Sequence, residues 1–316
     1  MYVGVDLGGT KIAAAIVNEQ GEILKRVHIP TNAKAGEEAV INNVIKACDT
    51  LLEDADEPPR SIGIGVPGSV NSKTGRVIFT ANLPLRNADI ASYLKNKYNC
   101  EVYLGNDANC AVLGEAIAGS AKGSKNVAMI TLGTGLGGGL IVNGTLVTGL
   151  CGSAGEVGHI VINIGGRECG CGRKGCWETY ASAKGLVATA LDLMDKNPES
   201  LMWELCVGMT DRVDGRVVFE AYRAKDATAI AVVDKYIGHL AIGIVNLINM
   251  LEPEVFCIGG GVSNAWDCME KPLIAAVENE KFSRFSTDMP KTKIVKATLG
   301  NEAGIIGAAM LGENVL

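Results

Sequence analysis

Apolar positions along the chain change period several times, and the changes mark its elements. Residues 2–5, 12–17 and 22–29 read as three strands of an antiparallel meander, the first two joined by Asp6-Leu7-Gly8-Gly9-Thr10-Lys11. Over 37–52 the spacing becomes helical, with Val40, Ile41, Val44, Ile45, Cys48, Leu51 and Leu52 on one face. After Pro58-Pro59 come a strand at 61–66, a turn at Pro67-Gly68-Ser69, a helix over 89–98 and a strand at 101–104. Gly105-Asn106-Asp107-Ala108-Asn109 then leads into a helix ending at 118. The opening pattern recurs: a strand at 127–132, a glycine-rich turn over 133–139, and a strand at 140–142 closed by Asn143-Gly144. Helices follow at 183–194 and 215–222, around a stretch at 198–214 with no readable period. A long helix over 228–251 is apolar nearly all round in its second half, which marks it as buried. A strand at 254–258 ends in Gly259-Gly260-Gly261, and a helix (266–277), a strand (293–295) and a helix (303–311) finish the chain.

Two glycine-rich turns after similar strands suggest two similar halves facing one cleft. Such turns present backbone N–H groups and a hydroxyl (Thr10, Thr134) to an anion, and the carboxylate of Asp6 can hold Mg²⁺ through water. The first turn is neither a Walker nor a G-x-G-x-x-G pattern, because a strand rather than a helix follows it. A Gly-Gly hairpin tip is also an ordinary turn; the repetition is what raises both above chance. Asp107 falls where a strand meets a helix, the place at which open α/β sheets bind ligands, although Asn and Asp there also serve as helix caps.

The densest chemistry lies in GEVGHIVINIGGRECGCGRKGCWETYAS, residues 155–182. His159, Cys169, Cys171 and Cys176 are one imidazole and three thiols, the complement of a closed tetrahedral zinc site. The glycines threading them let a short loop fold back on one ion. Buried apolar cysteines would be the plain alternative, but three of the ten cysteines and one of the three histidines crowd this segment. Glu156 and Glu178 bracket the cluster without being needed as ligands, and ionised acceptors suit the hydroxyls of a sugar.

Composition narrows the class further. At 316 residues two domains are expected. A net charge of −6 and a pI near 5.3 give no nucleic-acid footprint. No basic segment precedes an apolar run at the N-terminus, and 237–251 is too short to span a bilayer, so a cytoplasmic protein without membrane or nucleic-acid partners is expected.

Both glycine turns, Asn106-Asp107, Glu156-x-x-His159, Cys-x-Cys-x₄-Cys and Glu178 in this order resemble the ROK family of sugar kinases, over the whole chain. The resemblance implies an α/β fold of two duplicated actin-like, ribonuclease-H-like ATPase domains closing over Mg-ATP: 1–118, with helix 302–316 packing back on it, and 119–301, carrying a zinc loop at 159–176. It implies Asp107 as general base. Asn106, Glu156, His159, Glu178 and Asn82 are then sugar contacts, and His159 gives the structural zinc its other ring nitrogen. Gly8, Gly9, Thr10 and Lys11, with Gly133, Thr134, Gly135, Gly137 and Gly138, resemble phosphate loops. Asp6 belongs near Mg²⁺, and Gly260 and Gly261 lie near the adenosine. A homodimer is implied as well. Glucose is the substrate the resemblance favours, with N-acetylglucosamine, N-acetylmannosamine, mannose and fructose as alternatives and polyphosphate as a second donor. A non-catalytic sugar sensor is disfavoured by the retained Asp6 and Asp107 and both turns.

Overall fold

The computed structural model describes residues 1–55, 57–285 and 291–313; the expected end of the closing helix, 314–316, lies outside them. The first half contains β1 (Tyr2–Leu7), β2 (Lys11–Val17), β3 (Ile23–Pro30), α1 (Glu37–Leu52) and β4 (Ser61–Val66). Next come β5 (Gly68–Asn71), β6 (Arg76–Thr80), β7 (Arg86–Ala88), α2 (Ile90–Tyr98), β8 (Glu101–Asn106) and α3 (Asp107–Ala118). The second half opens with β9 (Val127–Leu132), β10 (Leu136–Val142) and β11 (Thr145–Leu146). It continues through α4 (Glu178–Ala181), α5 (Ala183–Met194), α6 (Leu201–Leu205), α7 (Gly215–Arg223) and α8 (Ala227–Leu251). It ends with β12 (Val255–Gly259), α9 (Trp266–Glu280), β13 (Lys293–Lys296) and α10 (Glu302–Ala309).

The duplication expected from the glycine turns is present in the topology. One five-stranded sheet runs β3-β2-β1-β4-β8 and the other β11-β10-β9-β12-β13. In each, the first three strands are antiparallel neighbours and the last two join in parallel. Apolar residues of β1, β2, β4, α1 and α2 form one core, and those of β9, α5, α7, α8, β12 and α9 form a second. A third core lies between the sheets, where α3 and α10 pack against each other with Val112, Leu113, Ile117, Ile305 and Met310 buried. α10 sits directly on β1 and β4: a side chain at Gly63 would overlap the carbonyl oxygen of Ala308.

Several expectations need correction. The second glycine turn is only Gly133–Gly135, and Gly137, Gly138 and Gly139 belong to β10. They serve packing, since a Cβ at Gly139 would come within 2.5 Å of Val112 Cγ1 and 2.7 Å of the Ala108 carbonyl oxygen on α3. The segment after β4 builds a separate three-stranded sheet, β5-β6-β7, that the sequence reading missed. The unreadable stretch at 198–214 contains α6 and ends at Asp214, whose carboxylate caps α7. α8, at 25 residues, is long and apolar enough to cross a bilayer, so the length argument fails. What argues for an interior helix is its packing: thirteen of its residues, from Thr228 to Ile248, are buried, eleven of them in the second core.

Candidate active site between the two sheets

Three cavities lie side by side along the carboxyl ends of the central strands. The first, about 460 Å³, is walled by Gly68, Asn106, Asp107, Glu156, His159 and Glu178. The second, about 560 Å³, holds Asp6, Asp107, Gly260, Lys296, Thr298 and Asn301. The third, about 710 Å³ and mostly apolar, is formed by Phe219, Val262 and Ala265, with Asp214, Arg216 and Arg223 at its edge. Asp107 and Gly260 line both the first and the second cavity, and Gly261 and Asn264 line both the second and the third.

Asp107 is the first residue of α3, placed there by its neighbour. Asn106 Oδ1 accepts from the N–H groups of Ala108 (2.9 Å) and Asn109 (3.3 Å), while its Nδ2 donates to the Gly68 carbonyl at 3.2 Å. Asn106 is therefore the cap, and Asp107 Oδ1 accepts from Ala108 N–H at 2.8 Å. The Asp107 side chain is reachable from the cavity, but the cleft walls strip it of bulk water. That desolvation pushes its pKa up, the nearby Glu156 carboxylate adds to the rise, and the Ala108 hydrogen bond opposes it. Asp6, at the end of β1, is raised to about 6 by burial and by the charge of Asp107, with Lys11 pulling the other way. Two carboxylates at one shared cavity, the charge of Asp107 raising Asp6, are a fit for a divalent cation.

The cluster His159, Cys169, Cys171 and Cys176 is assembled as the spacing suggested, with donor atoms all within 4.8 Å of one another. Cys169 Sγ is 3.6 Å from His159 Nδ1, and Cys171 Sγ is 3.7 Å from Cys176 Sγ. A tetrahedron with metal–sulfur bonds of about 2.3 Å has edges of about 3.7 Å, so this donor set fits zinc. With Nδ1 turned to the thiols, Nε2 is the imidazole nitrogen left for the first cavity. Backbone pairing closes the loop: Cys169 N–H donates to the Arg173 carbonyl at 2.9 Å and Gly175 N–H to the Arg167 carbonyl at 2.8 Å. Arg167 in turn anchors the loop to α4 and α5 through the carbonyls of Thr179 (3.1 Å) and Gly185 (3.2 Å). Glu178 joins three parts of the site. It lines the first cavity, its Oε1 lies 4.0 Å from Cys169 Sγ, and its Oε2 accepts from Leu136 N–H, just past the Gly133–Gly135 turn, at 2.9 Å.

Asn106, Asp107, Glu156, His159, Glu178, Gly133, Thr134, Gly135, Gly137 and Gly138 all meet in the first cavity, with Gly260 at its border. Asp6, Gly260 and Gly261 meet in the second. The turn Gly8–Lys11 lines none of the three cavities; it lies beside Asn82, whose Cβ would stand 3.6 Å from a Cβ on Gly9. Sequence reasoning missed Thr131, Lys296, Thr298 and Asn301 in the second cavity and Asp214, Arg216, Phe219 and Arg223 in the third. None stands in a run of glycines, carboxylates or thiols, and no spacing singles them out.

Two sheets of one topology, facing each other across carboxylates and backbone turns, define the actin-like ATPase class of phosphate-handling folds. Within that class the chain belongs to the ROK family, whose profile matches residues 2–315. It is 40% identical to a glucokinase of Halalkalibacterium halodurans, an alignment covering 98% of this chain and 94% of that protein. It is 34% identical to an N-acetyl-D-glucosamine kinase of Histophilus somni, over 98% and 99% of the two chains. Among solved structures, a ROK family glucokinase from Streptomyces griseus in complex with glucose and AMPPNP superposes with a TM-score of 0.80 at 34% identity, covering 98% of each chain.

Proposed function

We propose that this protein is an ATP-dependent sugar kinase that phosphorylates the 6-hydroxyl of glucose, with Asp107 as general base. The observation that carries the reading is the position of Asp107, which belongs at once to the cavity of Glu156, His159 and Glu178 and to the cavity of Asp6. A sugar in the first cavity offers its hydroxyls to two carboxylates and to the Nε2–H of His159. The primary alcohol then faces Asp107, with the phosphates and Mg²⁺ beyond it at Asp6, Gly260 and the Gly133–Gly135 turn. The nucleoside occupies the third cavity, against Gly261 and Val262. In the reaction the sugar oxygen bonds to the γ-phosphorus, the bond to the β,γ-bridging oxygen breaks, ADP leaves, and the alcohol's proton passes to Asp107. Positioning and charge neutralisation supply most of the rate, and proton acceptance about 10²–10⁴-fold.

Zinc belongs to the same proposal as a structural ion held by His159, Cys169, Cys171 and Cys176, with no position left for substrate. Its effect is to fix the loop that carries His159 and leads into Glu178. All ten cysteines are free, in keeping with a reducing, cytoplasmic setting. The relatives named N-acetyl-D-glucosamine kinase support a second reading, the same chemistry on a 2-acetamido sugar.

The test is ADP release with Mg-ATP against glucose, N-acetylglucosamine, N-acetylmannosamine, mannose and fructose. Highest kcat/KM on glucose is expected. Turnover confined to an acetamido sugar would move the substrate and keep the mechanism, and turnover with polyphosphate alone would overturn the donor.

A further inference from the structure

Outside the residues that face the cleft, one buried carboxylate stands out. The chain passes between the two sheets twice, once after α3 on the way to β9 and once after β13 on the way to α10. Both crossings meet at Glu115, which lies in α3 and is fully buried. Its Oε2 accepts from the N–H (2.7 Å) and the hydroxyl (2.8 Å) of Ser120, in the first crossing. Its Oε1 accepts from the N–H of Leu299 at 2.8 Å, and the Thr298 hydroxyl lies 3.4 Å from Oε2, both in the second crossing. All four donors to it among the described residues are neutral, and burying a carboxylate carries a desolvation cost that such hydrogen bonds must offset. The backbone is shaped around it as well: a side chain at Gly119 would overlap Glu115 Oε2.

The two crossings matter because of what they carry. α3 begins with Asp107, and the second crossing supplies Thr298, Gly300 and Asn301 to the cavity that Asp107 shares with Asp6. The Ser120 hydroxyl also lies 3.3 Å from Cys257 Sγ on β12, the strand that ends at Gly259 in the same cavity. We propose that Glu115 is a positioning residue: a clasp between the two interlobe crossings that sets the 298–301 loop against Asp107 and serves as the pivot on which the two halves close. The kinetic part of this proposal rests on the sugar-kinase reading above; the clasp itself does not. A carboxylate suits the place because every donor points at it. In Glu115→Gln the amide nitrogen must confront either Ser120 N–H or Leu299 N–H.

The experiment compares the wild type with Glu115→Gln, with Gly119→Ala, which pushes on the carboxylate without changing charge, and with Val44→Ala, a core truncation on α1. Amide hydrogen exchange of the free proteins comes first. Exchange at 119–121 and at 298–301 is expected to accelerate together in both clasp variants and to stay at the wild-type rate in Val44→Ala. Unchanged exchange in either crossing overturns the clasp, whether or not the wild type phosphorylates a sugar; a wild type inactive on every sugar would fault the functional reading alone. Steady-state kinetics well below each melting temperature come second. Both clasp variants should raise KM for Mg-ATP and lower kcat, a combined loss of about tenfold in kcat/KM, with the sugar Kd unchanged within about twofold. Val44→Ala should lose melting temperature and keep its kinetic constants. Clasp variants that kept wild-type kcat and KM, or lost activity only in step with melting temperature as Val44→Ala does, would overturn the positioning role. Should Glu115→Gln fail to fold, Gly119→Ala carries both measurements.

Discussion

The β1–β2 turn and the β9–β10 turn hold the same place in their sheets and close in similar ways. Gly8 N–H donates to the Lys11 carbonyl at 3.0 Å in one, and Gly133 N–H donates to the Gly135 carbonyl at 3.0 Å in the other. Their surroundings differ. The first turn is flanked by Asp6 and Lys11, and the sheet behind it ends in Asn106-Asp107. The second is uncharged in itself and borrows a charge from outside, through Glu178 on its Leu136 N–H. Duplication thus supplied one backbone device twice, and side chains made the copies unequal. The first half holds Asp6 and Asp107, the two carboxylates of the second cavity. Between β11 and β12 the second half inserts the zinc-type cluster and α4–α8; this stretch supplies Glu156, His159, Glu178 and one side of the third cavity.

If the reacting carboxylate belongs to the first half alone, Asp107→Ala should produce the largest loss. Turnover should fall by about 10²–10⁴-fold while calorimetry still detects sugar binding, because Glu156, His159 and Glu178 remain. Near-normal turnover in that variant would remove the asymmetry. Stripping the metal, or Cys171→Ser, attacks the second half: the sugar KM should rise by about 10–100-fold with a smaller change in KM for Mg-ATP. Full activity in protein shown by elemental analysis to be metal-free would sink the structural role of zinc.

The smallest expected effect comes from pH. Asp107 and Asp6 are both raised, Asp6 to about 6, so each becomes protonated as pH falls through its raised value. The acid limb of kcat/KM for Mg-ATP should therefore lie near pH 6 rather than in the ordinary carboxylate range. Stability should run the opposite way. A folded-state pKa above the unfolded one means the folded protein holds more protons, so the Asp6 contribution declines as pH rises between about 4 and 6. Asp6→Asn should then be stabilised at neutral pH by about 3 kcal/mol while losing activity, as chemical denaturation and turnover would record. An Asp6→Asn protein less stable than wild type at pH 7 would contradict the desolvation assigned to that carboxylate.

The strands and helices of both sheets were legible because β-branched runs and helical stripes recur there without conflict. The cluster at 159–176 was legible because chains rarely crowd thiols and an imidazole at such short spacing unless a metal holds them. Gly137–Gly139 misled because glycine is a poor strand former, and only tertiary packing, α3 against Gly137 and Gly139 and Val157 against Gly138, explains why side chains are excluded there. β5, β6 and β7 were missed because they are short and partly exposed, so no alternation builds up. Lys296, Thr298 and Asn301 were invisible for a different reason: tertiary structure brings them to Asp6 and Asp107, and nothing local records the meeting.

The seating of α10 on β1 and β4 has a consequence for the order in which the molecule can be made. The face of the first sheet that α10 covers is built from strands synthesised well before α10 itself, with the second half of the fold between them in the chain. Arg26 on β3 and Glu302 at the start of α10 meet at 2.8 Å across a separation of 276 residues. Contacts of such long sequence separation form late and slow the folding of a chain. During translation the first sheet must wait with Gly4, Gly63 and their apolar neighbours unroofed while the entire second half is made, and it is completed only when α10 arrives.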